Sequence, residues 1–376
     1  MNKVCILLTF VKEIDNYSNL LNLFDKKNLI LCLSDFDTRN LIVMKKFCDD
    51  KDIKYITLSE VFKKKLKFKI LITQNFDLRC LNKFSIIHYI KFIFNKFSLK
   101  KKLYAKPIVK LNIKNICDKS FKFPKGLDAS NFLSKKKLYQ QFDEIFCHST
   151  YEKNELKKIG FTNVSIIGFP RYNLDTKNNV KDITKQFKIK PYDKVLFWLP
   201  SRLDKANNTS SNIYLWINIL KKFTKKYKFI CRPHPDLVSK ELISDLKKNN
   251  FLIDCNEQRK LSDIYNVSNF IFCDYGETIF SSLFFKKKVI LLNYLNNIND
   301  RFHNQIYLDV KIRDFCPNFN LDDNDNVNSS IEKLISNEKD WKIFENKRSS
   351  FFKEIFPTGN QKTYNQLFLD TVNRYL

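Results

Sequence analysis

The chain has 376 residues, and 67 lysines and arginines against 40 aspartates and glutamates give it a formal net charge of +27. This length exceeds one ordinary domain, and a hydrophobic content of 44% excludes a disordered chain. The longest apolar runs, at 4–11 and 289–295, are too short to cross a bilayer, and the first lacks the flanks of a signal peptide. We therefore expect a globular cytoplasmic protein with two domains.

The ten cysteines are scattered through apolar runs, and no two have a C-x-x-C spacing. This pattern favours buried thiols in a reducing compartment over a disulfide framework or a zinc site. The positive charge suits a partner that carries phosphates, either nucleic acid or an anionic membrane. A general compositional bias explains the charge equally well, because lysine, asparagine, isoleucine and phenylalanine are all in excess.

Short apolar runs separated by polar, helix-like spans occupy the first half of the chain. Continuous apolar runs of this kind predict buried strands of a parallel sheet. The predicted strands are 3–10, 28–34, 54–58, 68–73, 84–90, 144–149 and 163–170. Helices predicted over 131–142 and 151–159 complete an α/β pattern.

A polar, lysine-rich stretch at 175–192 predicts a linker between the domains. The α/β pattern then repeats, with strands over 194–200, 227–233, 251–255, 269–274 and 288–293 and helices over 238–249, 260–267 and 278–286. We therefore predict an α/β fold with two Rossmann-like domains, 1–178 and 190–376, whose parallel sheets face a central cleft. In this interpretation the last helix can pack on the first domain.

The segment "FICRPHPDL" at 229–237 ends a predicted strand on Arg232 and places His234 between two prolines. In an open α/β sheet, ligands bind beyond the carboxyl ends of the strands. Proline restricts the residue before it, so we expect extended backbone at Arg232 and His234. Both side chains suit a phosphate, through the arginine fork and an imidazole hydrogen bond. The alternative is a surface turn that only ends a strand.

A second candidate is the strand, turn and helix in "FIFCDYGETIFSSLFF". Gly276 lies in the turn, and the free amides at the start of the helix, with the hydroxyls of Thr278, Ser281 and Ser282, predict a phosphate site. The alternative is an ordinary capped helix.

Two acids flank this turn, and Asp274 or Glu277 is expected to bind a hydroxyl of a ribose or polyol. The sequence has no P-loop, no G-x-G-x-x-G fingerprint and no metal-ligand cluster. Among the histidines, His88 ends a predicted strand of the first domain, whereas His148 and His303 are interpreted as structural or surface residues.

Several segments, taken in order, resemble the bacterial CDP-glycerol glycerophosphotransferase family, which makes teichoic-acid-type and capsular polyol-phosphate polymers. They are "SIIHYI", "HSTYEKNELKKIGFTNVSIIGFPRYN", "VLFWLPSR", "FICRPHPD" and "CDYGETIFSSLFFKKKVILL". The resemblance implies a GT-B fold, a CDP-polyol donor and no metal or other cofactor.

The resemblance also implies roles for two histidines. His88 matches the general base of the first domain, although Tyr89 replaces the glycine that usually follows. His234 and Arg232 match an R-x-H-P motif that contacts the donor phosphate. His88 and His234 are therefore the two candidate catalytic residues.

Further positions match the family's donor site. "DYGETIFSS" corresponds to its phosphate loop, "LPSR" places Ser201 and Arg202 beside the donor, and Asn173 replaces an acid that closes the first domain. The residues assigned to that phosphate loop are Asp274, Thr278, Ser281 and Ser282.

The implied reaction transfers a polyol phosphate from a nucleotide-activated donor to a hydroxyl of a lipid-linked or glycan acceptor. Alternatives are a GT-B glycosyltransferase that uses a nucleotide sugar, an epimerase of similar fold and a non-catalytic nucleic-acid-binding protein. Scattered lysines without a nucleic-acid module speak against the last. Lysine clusters at 61–69 and 95–104 instead predict peripheral contact with an anionic membrane.

Overall fold

The structure is a computed structural model that describes residues 3–81, 108–127, 135–171, 180–201, 211–256, 259–294, 307–321, 326–337, 339–356 and 361–376. The chain divides into two compact units. Unit 1 comprises Met1–Lys125, Phe132–Asn173 and Ile355–Leu376, and unit 2 comprises Gly126–Asn131 and Leu174–Glu354. The end of the chain thus belongs to unit 1.

Strands and helices alternate along most of the described chain. The strands are β1 (Val4–Leu8), β2 (Leu29–Leu33), β3 (Tyr55–Thr57), β4 (Phe68–Thr73), β5 (Leu78–Leu81), β6 (Ile108–Leu111), β7 (Cys117–Lys122), β8 (Glu144–Cys147), β9 (Val164–Ile166), β10 (Val195–Leu199), β11 (Lys228–Cys231), β12 (Leu252–Ile253), β13 (Phe270–Cys273), β14 (Lys288–Leu292) and β15 (Asn318–Phe319).

The helices are α1 (Glu13–Leu21), α2 (Thr38–Asp50), α3 (Leu58–Lys63), α4 (Lys136–Tyr139), α5 (Thr150–Lys158), α6 (Val180–Gln186), α7 (Ser211–Leu220), α8 (Lys240–Lys248), α9 (Leu261–Val267), α10 (Glu277–Phe284), α11 (Leu308–Lys311), α12 (Val327–Ser336), α13 (Lys339–Ile355) and α14 (Gln361–Asn373). None of these helices has the length and apolar character that a bilayer crossing requires.

The main sheet of unit 1 is parallel, with the strand order β3-β2-β1-β4-β7-β8-β9. Alternate β1 side chains belong to two different core clusters. Val4, Ile6 and Leu8 belong to one cluster, and Cys5 and Leu7 belong to the other. Both faces of the sheet are therefore covered, which explains the uninterrupted apolar sequence of the strand.

The sheet of unit 2 is also parallel, with the order β12-β11-β10-β13-β14-β15. Its core contains Trp198, Trp216 and Trp341, all of which are fully buried. The prediction of an α/β fold with parallel sheets is confirmed.

Three features differ from the sequence prediction. The predicted linker at 175–192 contains helix α6, whose Ile183 is fully buried in the structure. Strand β7 was not predicted, although it lies between β4 and β8. The antiparallel pair β5 and β6 was not predicted either.

The cysteines whose side chains the structure describes are free thiols, of which Cys255 is exposed and the others are buried: Cys5, Cys32, Cys48, Cys117, Cys147, Cys231, Cys273 and Cys316. Burial raises the pKa of the thiols of Cys5, Cys147 and Cys231 well above its ordinary value. A protonated thiol is a poor nucleophile, so these side chains act as small apolar groups.

Helix α14 is fixed to the core of unit 1 by Phe368, whose ring centroid lies 5.7 Å from that of Phe24 and 5.1 Å from that of Phe146. Phe368 is fully buried, whereas 45% of the neighbouring Leu367 is exposed. We expect Phe368→Ala to lower the free energy of unfolding by about 3–5 kcal/mol, because it leaves a cavity in the core. Urea unfolding measures the change.

Leu367→Ala is the matched control and should change stability by no more than about 0.5 kcal/mol. Equal effects of the two substitutions would contradict the assignment of α14 to the core.

Candidate active site

The loops after β10, β11 and β13 meet at the carboxyl edge of the unit 2 sheet. Trp198 pairs with Cys231, and Leu199 pairs with Cys273, so the residues beyond these positions are neighbours. The amide of His234 donates to the carbonyl of Pro200 at 3.2 Å, which joins two of the loops. Four predicted site residues, Ser201, Arg232, His234 and Asp274, therefore lie at one edge.

Asp274 links these loops through its buried carboxylate. Its oxygens accept hydrogen bonds from the amide of Ser201 at 3.0 and 2.9 Å, the amide of Tyr275 at 2.6 Å and the hydroxyl of Tyr294 at 2.6 Å. Only 2% of the residue is exposed, and burial raises the pKa of its carboxyl group while these hydrogen bonds oppose the rise. Asp274 thus organises the edge, instead of binding a substrate hydroxyl as the sequence suggested.

Arg313 supports the same turn from a distant segment, which the sequence analysis did not identify. Its Nε donates to Asn293 Oδ1 at 2.6 Å, and its guanidinium group lies 3.7 Å from the centroid of the Tyr275 ring. The other guanidinium nitrogens donate to the backbone carbonyls of Asp274 and Asp309. Arg313 therefore fixes the turn before α10 through hydrogen bonds to the backbone and a contact with the Tyr275 ring.

Gly276 immediately precedes helix α10, and it has a φ of +95° and a ψ of −168°. Only glycine adopts this conformation without strain. The amide of Gly276 donates to Asp309 Oδ2 at 3.0 Å, and Gly276 has no side chain that could cap the helix. Within the first turn, Thr278 is partly exposed. The helix start retains the geometry of an anion site.

Two hydroxyls of the predicted phosphate loop are used elsewhere. Ser281 Oγ lies 2.6 Å from the hydroxyl of Tyr265, and Ser282 Oγ donates to the carbonyl of Thr278 at 2.6 Å. Both serines are fully buried in the second turn of α10. They pack the helix onto unit 2 and do not line the turn.

Glu277, the first residue of α10, lies against Gly126, which clusters with unit 2. A Cβ atom at position 126 would come within 2.5–2.7 Å of the Glu277 side chain. The glycine therefore makes room for this carboxylate. The sequence analysis did not connect the two residues, since 150 positions separate them.

Arg232 is held by a buried ion-pair cluster. Its Nη1 lies 3.4 Å from Asp254 Oδ2, and its Nη2 donates to the carbonyl of Arg259 at 3.0 Å. Arg259 Nε donates to the same Asp254 oxygen at 3.0 Å. Asp254 is fully buried, and a buried charge requires partners. The guanidinium groups of Arg232 and Arg259 are those partners.

His234 has the extended backbone that the sequence predicts, with a φ of −56° and a ψ of 139°. Its Nδ1 accepts a hydrogen bond from the amide of Asp236 at 3.2 Å. The neutral imidazole therefore carries its proton on Nε2, and 35% of the side chain is exposed. His88 and Arg202 lie outside the described residues.

Polar groups also gather at the carboxyl edge of the unit 1 sheet. Lys122 ends β7, and its Nζ donates to the carbonyls of Gln74 at 2.8 Å and Phe123 at 2.7 Å. On the same edge, the Glu13 carboxylate accepts hydrogen bonds from the Thr9 amide at 2.6 Å and the Asn75 side chain at 2.9 Å. The described residues contain no cluster of three potential metal ligands.

Burial, helped by the nearby charges of Lys125 and Lys135, lowers the pKa of Lys122 to about 7, and the carboxylates of Glu13 and Glu152 oppose this shift. A neutral amine has two N–H groups, which matches the two carbonyl partners. In the unfolded chain the lysine keeps its ordinary pKa of 10.5. Between these two pKa values the unfolded state binds more protons, so the lysine makes stability rise with pH.

The family comparison gives a direct match over most of unit 2 and part of unit 1. A family model described as CDP-Glycerol:Poly(glycerophosphate) glycerophosphotransferase matches residues 130–367, which is more than half of the chain. The chain belongs to this family. It is therefore a transferase of the CDP-glycerol-dependent class, as the resemblance implied. No curated protein matches the chain.

Solved structures of similar fold include two kinds of enzyme. The wall teichoic acid polymerase TagF has a TM-score of 0.61 and 12% identity, with 99% of this chain and 90% of that chain covered. The S. aureus MnaA–UDP structure has a TM-score of 0.58 and 14% identity, covering 100% and 97%.

A UDP-GlcNAc 2-epimerase from Methanocaldococcus jannaschii has a TM-score of 0.55 and 14% identity, covering 99% of both chains. At these identities the likeness concerns the fold, and it confirms the GT-B-like architecture.

The lysine at the end of β7 gives a prediction for stability. We expect the stability difference between the wild type and Lys122→Met to change in favour of the wild type from pH 7 to pH 10, by up to about 1.4 kcal/mol per pH unit. Chemical unfolding at a series of pH values measures it.

Lys119→Met, on the same strand but with a partly exposed side chain, is the control and should show no such slope. A flat difference for Lys122→Met would mean that the lysine keeps its proton in the folded state.

Proposed function

We propose that this enzyme transfers glycerol phosphate from CDP-glycerol to a hydroxyl of a poly(glycerol phosphate) or related surface-glycan acceptor, and that unit 2 binds the donor. The observation that carries the proposal is the meeting of the Arg232–His234 loop with the start of α10 at one sheet edge. The family description names CDP-glycerol, and one TagF structure of similar fold comes from a soak with CDPG.

The donor pyrophosphate would meet three sources of positive potential. His234 donates from Nε2 because the Asp236 amide fixes the tautomer. Arg232 adds a guanidinium charge, and the start of α10 adds the positive end of the helix dipole. Because prolines and buried partners already fix these groups, little conformational entropy is lost on binding. This arrangement supports charge stabilisation by protein groups, and we propose that the reaction requires no metal.

The proposed reaction is a direct displacement at phosphorus. The acceptor oxygen forms a bond to the phosphorus of glycerol phosphate, and the bond to the CMP oxygen breaks, with CMP taking the electron pair. His88, by its family resemblance, takes the proton of the acceptor hydroxyl. Arg232 and His234 stabilise the negative charge that develops on CMP.

We further propose that the acceptor is linked to lipid at the inner face of the cytoplasmic membrane, which the chain contacts peripherally. Lys63, Lys64 and Lys65 are exposed beside Phe62, which is 39% exposed. Each lysine near an anionic surface contributes about 1 kcal/mol of attraction. The cluster at 95–104 lies outside the described residues.

The donor site predicts the behaviour of His234 variants. We expect His234→Ala to lower the rate of glycerol phosphate transfer from CDP-glycerol at least about 100-fold, because a fixed donor to the leaving group is lost. The assay runs with EDTA present, with UDP-GlcNAc as the control donor. Asp236→Ala, which keeps the amide contact, should have a much smaller effect; a fully active, folded His234→Ala enzyme would remove this loop from the site.

His88 is expected to act on the acceptor and not on the donor. We therefore predict that His88→Ala lowers the transfer rate while the dissociation constant for CDP-glycerol stays within about twofold of the wild type, measured by calorimetry. Parallel loss of CDP-glycerol binding would assign His88 to the donor pocket or to folding instead.

Membrane contact predicts salt-sensitive binding to anionic liposomes, because the attraction decays within a Debye length of about 8 Å at physiological salt. We expect K63E/K64E/K65E to weaken co-sedimentation with phosphatidylglycerol vesicles. K221E/K222E/K225E, which alters exposed lysines of unit 2 by the same charge, is the matched control. Absence of binding at low salt would exclude the proposed membrane contact. Equal loss in both variants would mean that general charge, and not a membrane face at 62–65, causes the binding.

A further inference from the structure

His148 and Glu152 form a buried pair at the carboxyl end of β8. Glu152 Oε2 lies 3.0 Å from His148 Nδ1 and also accepts the His148 amide at 2.6 Å. Ser149 caps α5, since its Oγ accepts a hydrogen bond from the amide of Glu152 at 3.4 Å. Only 7% and 6% of the His148 and Glu152 side chains are exposed.

This geometry fixes the tautomer of the imidazole. A carboxylate only accepts hydrogen bonds, so the proton of the neutral ring lies on Nδ1 and the lone pair lies on Nε2. The ring stacks on Phe169, with centroids 4.7 Å apart and an angle of 23° between the planes. The orientation of Nε2 is therefore set on two sides, by an acid and by an aromatic ring.

The Nε2 atom of His148 makes no hydrogen bond to any residue that the structure describes. Because Glu152 and Phe169 fix the direction of this nitrogen, it is preorganised to accept a hydrogen bond from a ligand. Packing alone would be served better by an apolar ring, which would stack on Phe169 equally well and leave no lone pair to satisfy.

The position of the pair agrees with a ligand site. β8 is the neighbour of β7, and ligands of open α/β sheets bind beyond the carboxyl ends of the strands. The Glu152 carboxylate acts electrostatically on Lys122, at the end of β7, and raises the pKa of that amine. The pair thus belongs to the same polar edge of unit 1 as Lys122 and Glu13.

We infer that His148 Nε2 binds the polyol acceptor by accepting a hydrogen bond from one of its hydroxyls, with Glu152 as the positioning residue. The inference rests on the proposed function, because it takes a glycerol phosphate terminus as the acceptor. Such a terminus has two hydroxyls, of which one attacks the donor and the other needs a partner. A hydroxyl can donate to this nitrogen whereas an ionised phosphate cannot, so the site selects a hydroxyl, and no proton is transferred at this residue.

The test uses the full chain and a short, water-soluble glycerol phosphate oligomer as the acceptor. His148→Phe keeps the stack on Phe169 and removes the nitrogen. We expect it to raise the KM for the oligomer about 3- to 10-fold, the loss expected for one hydrogen bond, with kcat within about twofold and CDP-glycerol affinity unchanged. His148→Gln, which places an amide oxygen near Nε2, should restore a KM close to that of the wild type.

Glu152→Gln releases the tautomer and should also raise this KM, whereas Glu155→Gln, on the same helix and partly exposed, is the control. If His148→Phe does not fold, the contrast between His148→Gln and Glu152→Gln decides the matter. An unchanged KM in both His148→Phe and Glu152→Gln would overturn the inference. So would a fall in kcat at constant KM with an altered pH profile, since that result would make His148 a proton acceptor.

Direct binding of the oligomer without donor separates this inference from the proposed function. If the wild type fails to use CDP-glycerol but binds the oligomer more tightly than His148→Phe, the proposed donor is wrong and the acceptor site stands. If the wild type uses CDP-glycerol and both proteins bind the oligomer equally, the acceptor site is wrong and the proposed function stands.

Discussion

A buried carboxylate must be surrounded by hydrogen-bond donors, and the edge of the unit 2 sheet is built around this requirement at Asp274. The donors are the amides of Ser201 and Tyr275 and the hydroxyl of Tyr294, which come from three separate segments. Removing any of them would leave part of a charge unpaired in the interior. The turn that begins α10 and the loop after β10 are therefore fixed relative to each other before any ligand binds.

The same edge contains a second buried acid, and together they set the electrostatics of the site. Asp254 shares its charge between Arg232 and Arg259, so Arg232 is anchored at one end of its guanidinium group. An anchored cation gives up part of its attraction for a phosphate but gains a fixed direction. Unit 1 has the reverse arrangement at its own sheet edge, where two carbonyl oxygens accept hydrogen bonds from the amine of Lys122.

The sequence was sufficient to predict the elements whose two faces are both buried. β1, β2, β4, β10 and β13 lie close to their predicted bounds, because a nearly continuous apolar run identifies a central parallel strand. Strand β7 is equally central but was not predicted, because its sequence CDKSFK is mostly polar. Its Ser120 is buried, and its hydroxyl donates a hydrogen bond to Asp143. The local sequence does not show that this polar side chain has a partner.

For the candidate site, the sequence predicted the residues that chain geometry alone fixes. The prolines beside His234 determine its backbone, and Gly276 marks the turn before a helix. The contributions of Tyr294 and Arg313 were not predicted, because they reach the turn from positions far along the chain. The pairing of His148 with Glu152 has a local signal, an i, i+4 spacing that begins at a strand end, but this spacing alone does not distinguish a surface helix from a buried one.

The buried free thiols have a consequence for how the protein unfolds. In the folded chain, burial raises the pKa of thiols such as Cys5, Cys147 and Cys231 and shields them from reagents, whereas Cys255 is exposed. Global opening releases them all at once, and each then ionises near its ordinary pKa and becomes a nucleophile. In air, disulfide exchange between unfolded chains would compete with refolding and make heat inactivation irreversible. Under reducing conditions, by contrast, the rate at which a thiol reagent modifies the buried cysteines measures the rate at which the two cores open.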